Sequence, residues 1–344
     1  MPRLRSFSVT TFNLYNLNEP GLRIYRDADG WSEAEYRRKI AWSRRLVRAL
    51  DADVFGFQEL WHKDSLKEIL DISALSDYEP LAPDDATGKK IVCAAAVRRE
   101  ILASDPEWIT AFPPHVVEAL RSEGRSEEVE VQQTGPIAIK IDTFSRPVLC
   151  FQIQPHEDKE PISVYVAHFK SRSPTEIRDE DWYDADKHSG IAKPVGYFLS
   201  SARREAEATA LKAIIDAQIR KTDTPVIVLG DLNDTSDTST LNILTGQPNY
   251  LRPNSQGGSD VDLYAVDVME DVGAQGPVDP TYLFRGKPGI LDHILVSQEL
   301  YPNSRRRVWT FDRREVLNDH INETQKGKDG QGDHGVVSAT FSLD

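Results

Sequence analysis

The sequence predicts an α/β fold with sheets covered by helices, in one large domain or two fused half-layers. Strand-like and helix-like segments alternate along the chain with no internal repeat. Several of the strand candidates are alternating or fully apolar, which points to faces buried beneath other layers. Of 344 residues 39% are apolar, enough for a packed core and too many for wholesale disorder.

Phe7 to Leu14 reads as the first strand. Ser32 followed by Glu35 has capping-box spacing, and Tyr36, Ile40, Val47 and Leu50 then share one face of a helix that ends at Leu50. Val54 to Phe57 is a short buried strand stopping at Gln58 and Glu59. Ile91 to Val97, Ile137 to Ile141, Val148 to Ile153 and Ile162 to Ala167 are further strands. Ser201 to Arg220 makes a second amphipathic helix with Leu211, Ile214, Ile215 and Ile219 inward. Thr224 and Pro225 lead into a buried strand over Val226 to Leu229, and Ile290–Ser297, Arg307–Phe311 and Val336–Phe341 complete the strands. Three stretches break this pattern and are expected on the surface: 105–134, with a helix from Pro114 to Glu123 and a charged tract; the acidic, aromatic 171–197; and the Gly- and Lys-rich 318–332.

Composition narrows the function. Lys and Arg number 41 against 55 Asp and Glu, a formal charge of −14. A field of that sign does not attract nucleic acid, so a phosphate-bearing substrate needs local basic patches or a bound cation. No apolar run approaches the roughly 20 residues that span a bilayer, and residues 1–9 lack the apolar core of a secretory signal. The simplest address is the cytoplasm, with a processed secreted form as the alternative. Cys93 and Cys150 each sit in an apolar run and read as buried free thiols, which leaves no Cys-based zinc site.

The chemistry lies at strand ends. Apolar runs finish or begin in Asn13, in Gln58-Glu59, in His168 with Lys170, in Asp231-Leu232-Asn233, in Asp292-His293 and in Asp333-His334. Singly, each is an ordinary cap or turn residue. Together they are complementary. Glu59, Asp231, Asp333 and the carboxamides of Asn13 and Asn233 are hard oxygen donors suited to Mg²⁺ or Mn²⁺. His168 and His334 exchange protons near neutrality, and Asp292 is placed to orient one of them. Gathered carboxylates repel one another unless a cation sits between them.

These six segments, in order, resemble the endonuclease/exonuclease/phosphatase superfamily, the fold of pancreatic deoxyribonuclease and the abasic-site endonucleases. Ala167-His168-Phe169-Lys170-Ser171, Gly230 to Asp234 and Leu291 to Ser297 are most similar to its bacterial nuclease-like branch, and the likeness spans about residues 7–341. The resemblance implies a four-layer α/β sandwich, two mixed β-sheets face to face with helices outside, as a single catalytic domain over residues 1–344 with surface insertions near 105–134 and 171–197. It implies metal-dependent phosphoester hydrolysis. Carried over by position, Asn13, Glu59 and Asp333 would hold the metal, while Asp231 and Asn233 would position or activate water. His334, paired with Asp292, would act as base or phosphate ligand, and His168 would bind a non-bridging oxygen or protonate the leaving group. The last motif departs from the family's Asp-His-x-Pro-Val, since Gly335, Val336 and Val337 follow His334. No acidic partner for His168 can be picked out. His293 adjoins Asp292 and so faces the other way on a strand, where it is structural.

Arg146 resembles a phosphate-contacting arginine of deoxyribonuclease-like members. Lys170, two residues past His168, would share its face, and Tyr282 lies where relatives place substrate-facing aromatics, core packing being the competing explanation. Arg37, Arg38, Lys39, Arg44, Arg45 and Arg48 read as a solvated helix face, and Arg305–Arg307 with Arg313 and Arg314 form a second basic cluster. The Asp179–Asp186 stretch lacks the spacing of a calcium loop.

The expected function is a nuclease, most simply an endonuclease on DNA or RNA, with nucleic acid as partner and neither a membrane nor an obligate protein partner. A phosphatase or a lipid- or small-molecule phosphodiesterase is the alternative. Gly289 to His293 stands where inositol polyphosphate phosphatases carry Trp-Cys-Asp-Arg, and no clear exposed aromatic hairpin for membrane docking is visible in the sequence. A non-catalytic phosphate-binding module is the third possibility.

Overall fold

The computed structural model describes residues 2–25, 28–71, 77–121, 140–245, 261–273, 279–321 and 329–343. The strands are β1 (Ser6–Leu17), β2 (Val54–His62), β3 (Tyr78–Leu81), β4 (Thr87–Arg98), β5 (Glu107–Ala111), β6 (Thr143–Ile153) and β7 (Ile162–His168). They continue with β8 (Val226–Asp231), β9 (Tyr264–Ala265), β10 (Tyr282–Phe284), β11 (Lys287–Gly289), β12 (Asp292–Val296), β13 (Trp309–Leu317) and β14 (Val336–Leu343). The helices are α1 (Glu33–Leu50), α2 (Lys63–Leu70), α3 (Pro114–Arg121), α4 (Ala185–Ile219), α5 (Ser239–Thr245) and α6 (Val266–Gly273).

Two mixed six-stranded sheets result, in the orders β13-β14-β1-β2-β4-β3 and β5-β6-β7-β8-β12-β9, with β10 and β11 as a separate hairpin. The sheets pack face to face. A Cβ added at Gly56 on β2 would lie 3.0 Å from Val166 Cγ2 and 3.1 Å from Leu229 Cδ1, so a side chain here would push β7 and β8 away. Phe7, Val9, Val54, Ala95, Val164 and Val166 belong to one buried cluster between the layers. A second cluster, with Phe12, Phe55, Phe57, Tyr36, Ile40 and Leu66, seats α1 and α2 on the outer face of the first sheet. This is the expected four-layer sandwich.

Helix α1 follows its sequence signals. Ser32 accepts from the Glu35 amide, Glu35 accepts from the Ser32 amide at 2.9 Å, and Asp51 ends the helix in a left-handed conformation. Tyr36, Ile40 and Val47 are buried, and so is Lys39, which corrects the expected solvated face; Arg37, Arg38 and Arg45 are exposed.

Other boundaries differ. Strand β2 runs on through Glu59 to His62 with a register shift after Phe57. Helix α4 begins at Ala185, not Ser201, and passes through Pro194. Proline ordinarily marks a break, and exposed Ile191, Tyr197 and Phe198 blur the apolar stripe that would have shown the earlier turns. Asp184, in the acidic stretch, accepts from the Asp186 amide as the N-cap of α4. In the 105–134 stretch β5 pairs with β6 as an edge of the second sheet, and α3 ends at Arg121. The tract after it, positions 137–139 of the Ile137–Ile141 strand, and 322–328 of the late loop lie outside the described residues. Lys140 and Ile141 are not in a strand.

Cys93 and Cys150 are free, and burial pushes their thiols up to about 12 and about 11. Among the described residues no helix is long and apolar enough to cross a membrane.

Candidate active site

Register brings the polar strand ends together. Strands β1 and β2 are parallel, with Asn13 opposite Gln58, and β7 and β8 are parallel, with His168 opposite Asp231. Strand β12 is antiparallel to β8, placing Asp292 opposite Asp231, and β14 is antiparallel to β1, returning the segment before Val336 to the same end. Carboxyl ends of parallel strands and amino ends of their antiparallel neighbours therefore converge on one rim of both sheets.

Asp231 is the centre of the cluster and is 1% exposed. Its Oδ2 accepts from Asn13 Nδ2 at 3.0 Å, and its Oδ1 accepts from the Asn233 amide at 3.0 Å. His168 Nε2 stands 3.5 Å from Oδ2 and His334 Nε2 3.9 Å from it. His334 Nδ1 lies 2.8 Å from Asp292 Oδ2, the contact that fixes its ring. Asp231 is thus the acidic neighbour of His168 that the sequence alone does not single out.

Burial pushes the Asp231 carboxyl up to about 7, and Asp292 and Glu59 push the same way against His334. Burial and Asp333 raise Glu59. For His334 burial opposes the charge, but Asp292, Asp231 and Asp333 overcome it and hold the imidazolium well above the usual histidine range. Burial, aided by Arg146, His334 and Lys170, drives His168 well below that range, so its ring is neutral.

Ligand atoms of Glu59, His168 and Asp231 lie within 4.8 Å of one another, as do those of Asp231, Asp292 and His334. Asp333 is felt electrostatically by both Glu59 and His334, but among the described residues it joins no such close cluster. Asn13 Oδ1 accepts from the Tyr15 amide at 2.9 Å, and Glu59 Oε2 accepts from the Asn16 amide at 2.9 Å. Tyr15, Asn16 and Glu59 all hold left-handed φ values, 49°, 54° and 60°. Such residues cost on the order of 1–3 kcal/mol each and concentrate at functional sites. Carboxylates with raised affinity for protons, and Asp292 Oδ1 and His168 Nδ1 buried without hydrogen-bond partners among the described residues, fit a hard divalent cation and an anionic ligand better than a closed protein network.

The remaining candidates line the same rim. Arg146 Nη1 donates to the Phe169 carbonyl at 3.1 Å, and its charge acts on His168 and Glu59. Asn233, with φ of 56°, donates from Nδ2 to the Phe169 carbonyl at 3.1 Å. Strand β7 ends at His168, so the alternating-face expectation for Lys170 does not apply. Its Nζ reaches Ser171 Oγ at 3.4 Å, and its amide is held by Glu207 at 2.7 Å. Tyr282 bridges to His334, with ring centroids 4.7 Å apart, so it belongs to the site, not to the core. The hairpin that carries it presents Phe284, 57% exposed, beside Arg285 and Lys287. An exposed aromatic hairpin is therefore present where none was visible from the sequence.

Sequence reasoning missed Tyr25, half-exposed, pushed up to about 12 by burial and by Glu59. It also missed the support beneath the rim, where Arg204 and Arg172 pair with Asp234 and Glu207 accepts from Ser145 at 2.7 Å. Only Lys39 left a sequence signal, since it falls between Tyr36 and Ser43 on the inward stripe of α1.

His293 faces away, as expected. Its Nε2 donates to the Asp234 carbonyl at 2.8 Å, and its Nδ1 lies 3.5 Å from Asp267. Burial opposes its charge, yet Asp267 raises it above the usual value, and His293 in turn lowers Asp267 against burial. Asp267→Ala should destabilise the protein by about 3 kcal/mol in urea unfolding, because a buried charge loses its partner. A raised histidine stabilises fully below about pH 6.5 and fades above its folded value, and a lowered carboxylate fades at acid pH. The difference between variant and parent should therefore be largest between about pH 4 and pH 6.5 and shrink on either side. A difference independent of pH would contradict the pairing.

The fold and the rim of carboxylates and histidines are those of an α/β sandwich suited to phosphoester chemistry. The profile of the Endonuclease/Exonuclease/phosphatase family matches residues 10–334, and the chain belongs to that family. Its fold is similar to the catalytic domain of human Nocturnin with bound sulfate (14% identity, TM-score 0.56, 99% of this chain and 96% of that one). It is similar to a mannosyl-6-phosphatase of Bacteroides thetaiotaomicron (16%, 0.54, 98% and 100%) and to D. rerio TDP2 complexed with single strand DNA product (13%, 0.54, 98% and 99%). At these identities the likeness establishes the fold alone. No curated protein sequence matches the chain.

Proposed function

We propose that this protein is a Mg²⁺- or Mn²⁺-dependent phosphodiesterase acting on nucleic acid, most simply an endonuclease. The observation that carries it is the convergence on Asp231 of Asn13, His168, Asn233 and the His334–Asp292 pair. Asn13, Glu59 and Asp333 would hold the metal beside Asp231, and the metal would supply charge neutralisation for an anionic ester and its leaving oxygen. Asp292, Asp231 and Asp333 favour the charged form of His334, which donates to a non-bridging phosphate oxygen, with Asp292 fixing its ring. Asp231, raised towards neutrality, takes the proton of the attacking water, with Asn233 positioned beside it. His168 donates to a second phosphate oxygen, and Arg146 and Lys170 counter the charge of the flanking backbone. Tyr282 abuts His334 where a substrate base or sugar would rest.

At least one of single- or double-stranded DNA or RNA should be cleaved with Mg²⁺ or Mn²⁺ and spared with chelator, as read on denaturing gels. Cleavage of none of them by folded, metal-loaded protein would remove the nuclease assignment. The exposed Phe284 with Arg285 and Lys287 favours one second reading, a phosphodiesterase at a lipid headgroup, which sphingomyelin vesicles in the same assay would detect.

A further inference from the structure

Lysine is among the residues least often fully buried, and it is buried at all only with compensation. Lys39 is 1% exposed. Its Nζ stands 4.8 Å from the Tyr15 ring centroid and 4.6 Å from that of Trp31, two aromatic faces that stabilise a desolvated ammonium. Burial lowers its proton affinity to about 7, and Asp333 and Glu59 raise it in opposition. Among the described residues it has no carboxylate within ion-pair distance, so these two act on it through space.

The walls of this pocket are the supports of the site. Tyr15 donates its amide to Asn13 Oδ1. Trp31 Nε1 donates to the Asn16 carbonyl at 2.7 Å, and the Asn16 amide donates to Glu59. The loop leading to Asp333 presses on the Lys39 turn of α1, where a Cβ at Gly330 (φ 75°) would lie 2.5 Å from the Lys39 amide nitrogen. Lys39 is therefore packed against the segments that carry Asn13 and Asp333, and Asn16, next to Tyr15, holds Glu59 through its amide.

We propose that Lys39 is a positioning residue, a resident counter-cation that holds the Glu59 and Asp333 carboxylates together without the metal and sets how tightly the metal binds. This rests on the metal assignment above. A positive charge beside a divalent site weakens the ion's binding and relieves carboxylate repulsion in its absence. Removing the charge should thus raise the ion's affinity and widen the difference in stability between the metal-free and metal-loaded states.

The test is Mn²⁺ titration of the full chain followed by electron paramagnetic resonance at about pH 6, where the ammonium is charged, with thermal unfolding with and without Mn²⁺. Lys39→Met should bind Mn²⁺ about tenfold more tightly. Its rise in unfolding temperature on adding Mn²⁺ should exceed the parent's. Lys39→Arg should return the affinity towards the parent value. A residue that merely filled space would lower unfolding temperature equally in both states and leave affinity unchanged or weaker, and that result overturns the proposal while leaving the metal site standing. A parent protein that binds no Mn²⁺ overturns both. Should Lys39→Met fail to fold, Lys39→Gln is read by the same criteria.

Discussion

Replacing His334 with Gln should lower the cleavage rate by about a thousandfold at saturating Mn²⁺, close to 4 kcal/mol of transition-state stabilisation. Glutamine can still donate to Asp292 Oδ2 and so keeps a buried carboxylate partnered. What it removes is the positive charge that Asp292, Asp231 and Asp333 sustain against burial. The loss should fall on kcat with little change in KM, because the charge is worth most as negative charge builds on the phosphate. Folding is checked by circular dichroism, and rates by a labelled oligonucleotide. A variant retaining a tenth or more of parental activity would show that His334 does not touch the reacting phosphate.

Asp231→Asn should cost at least as much, about a thousandfold, and for a different reason. Both carboxylate oxygens accept from nitrogens, Oδ2 from Asn13 Nδ2 and Oδ1 from the Asn233 amide. An asparagine must turn its NH₂ towards one of these donors, so a hydrogen bond is replaced by a donor–donor contact. The variant also lacks the group assigned to take the water's proton. Its activity should not be recovered by raising Mn²⁺, whereas loss of a ligand such as Glu59 should be partly recovered. Full rescue of Asp231→Asn by metal would assign Asp231 to ion binding and leave the proton acceptor elsewhere.

Much of the site is legible in the sequence because strand ends are where apolar runs give way to polar residues. Asn13, Glu59, His168, Asp231, Asp292 and His334 are each conspicuous after or before a buried run, and strand pairing then brings them to one rim. What the spelling hides is any feature that lacks a period. Tyr25 lies in a loop, and the left-handed turn at Tyr15 is invisible in a residue type that rarely adopts it. Lys39 was masked by its arginine neighbours, although its place in the helical stripe marks it as inward. Pro194 and exposed apolar side chains hide the first turns of helix α4, and the edge strand β5 is too short and too exposed to show alternation.

The most direct test of the central claim is anomalous diffraction from crystals grown with Mn²⁺. The expected result is a peak bounded by Asn13, Glu59 and Asp333, about 2.2 Å from carboxylate oxygen of Glu59. A well-ordered rim with no peak at saturating Mn²⁺, or a peak held by other residues, would contradict it.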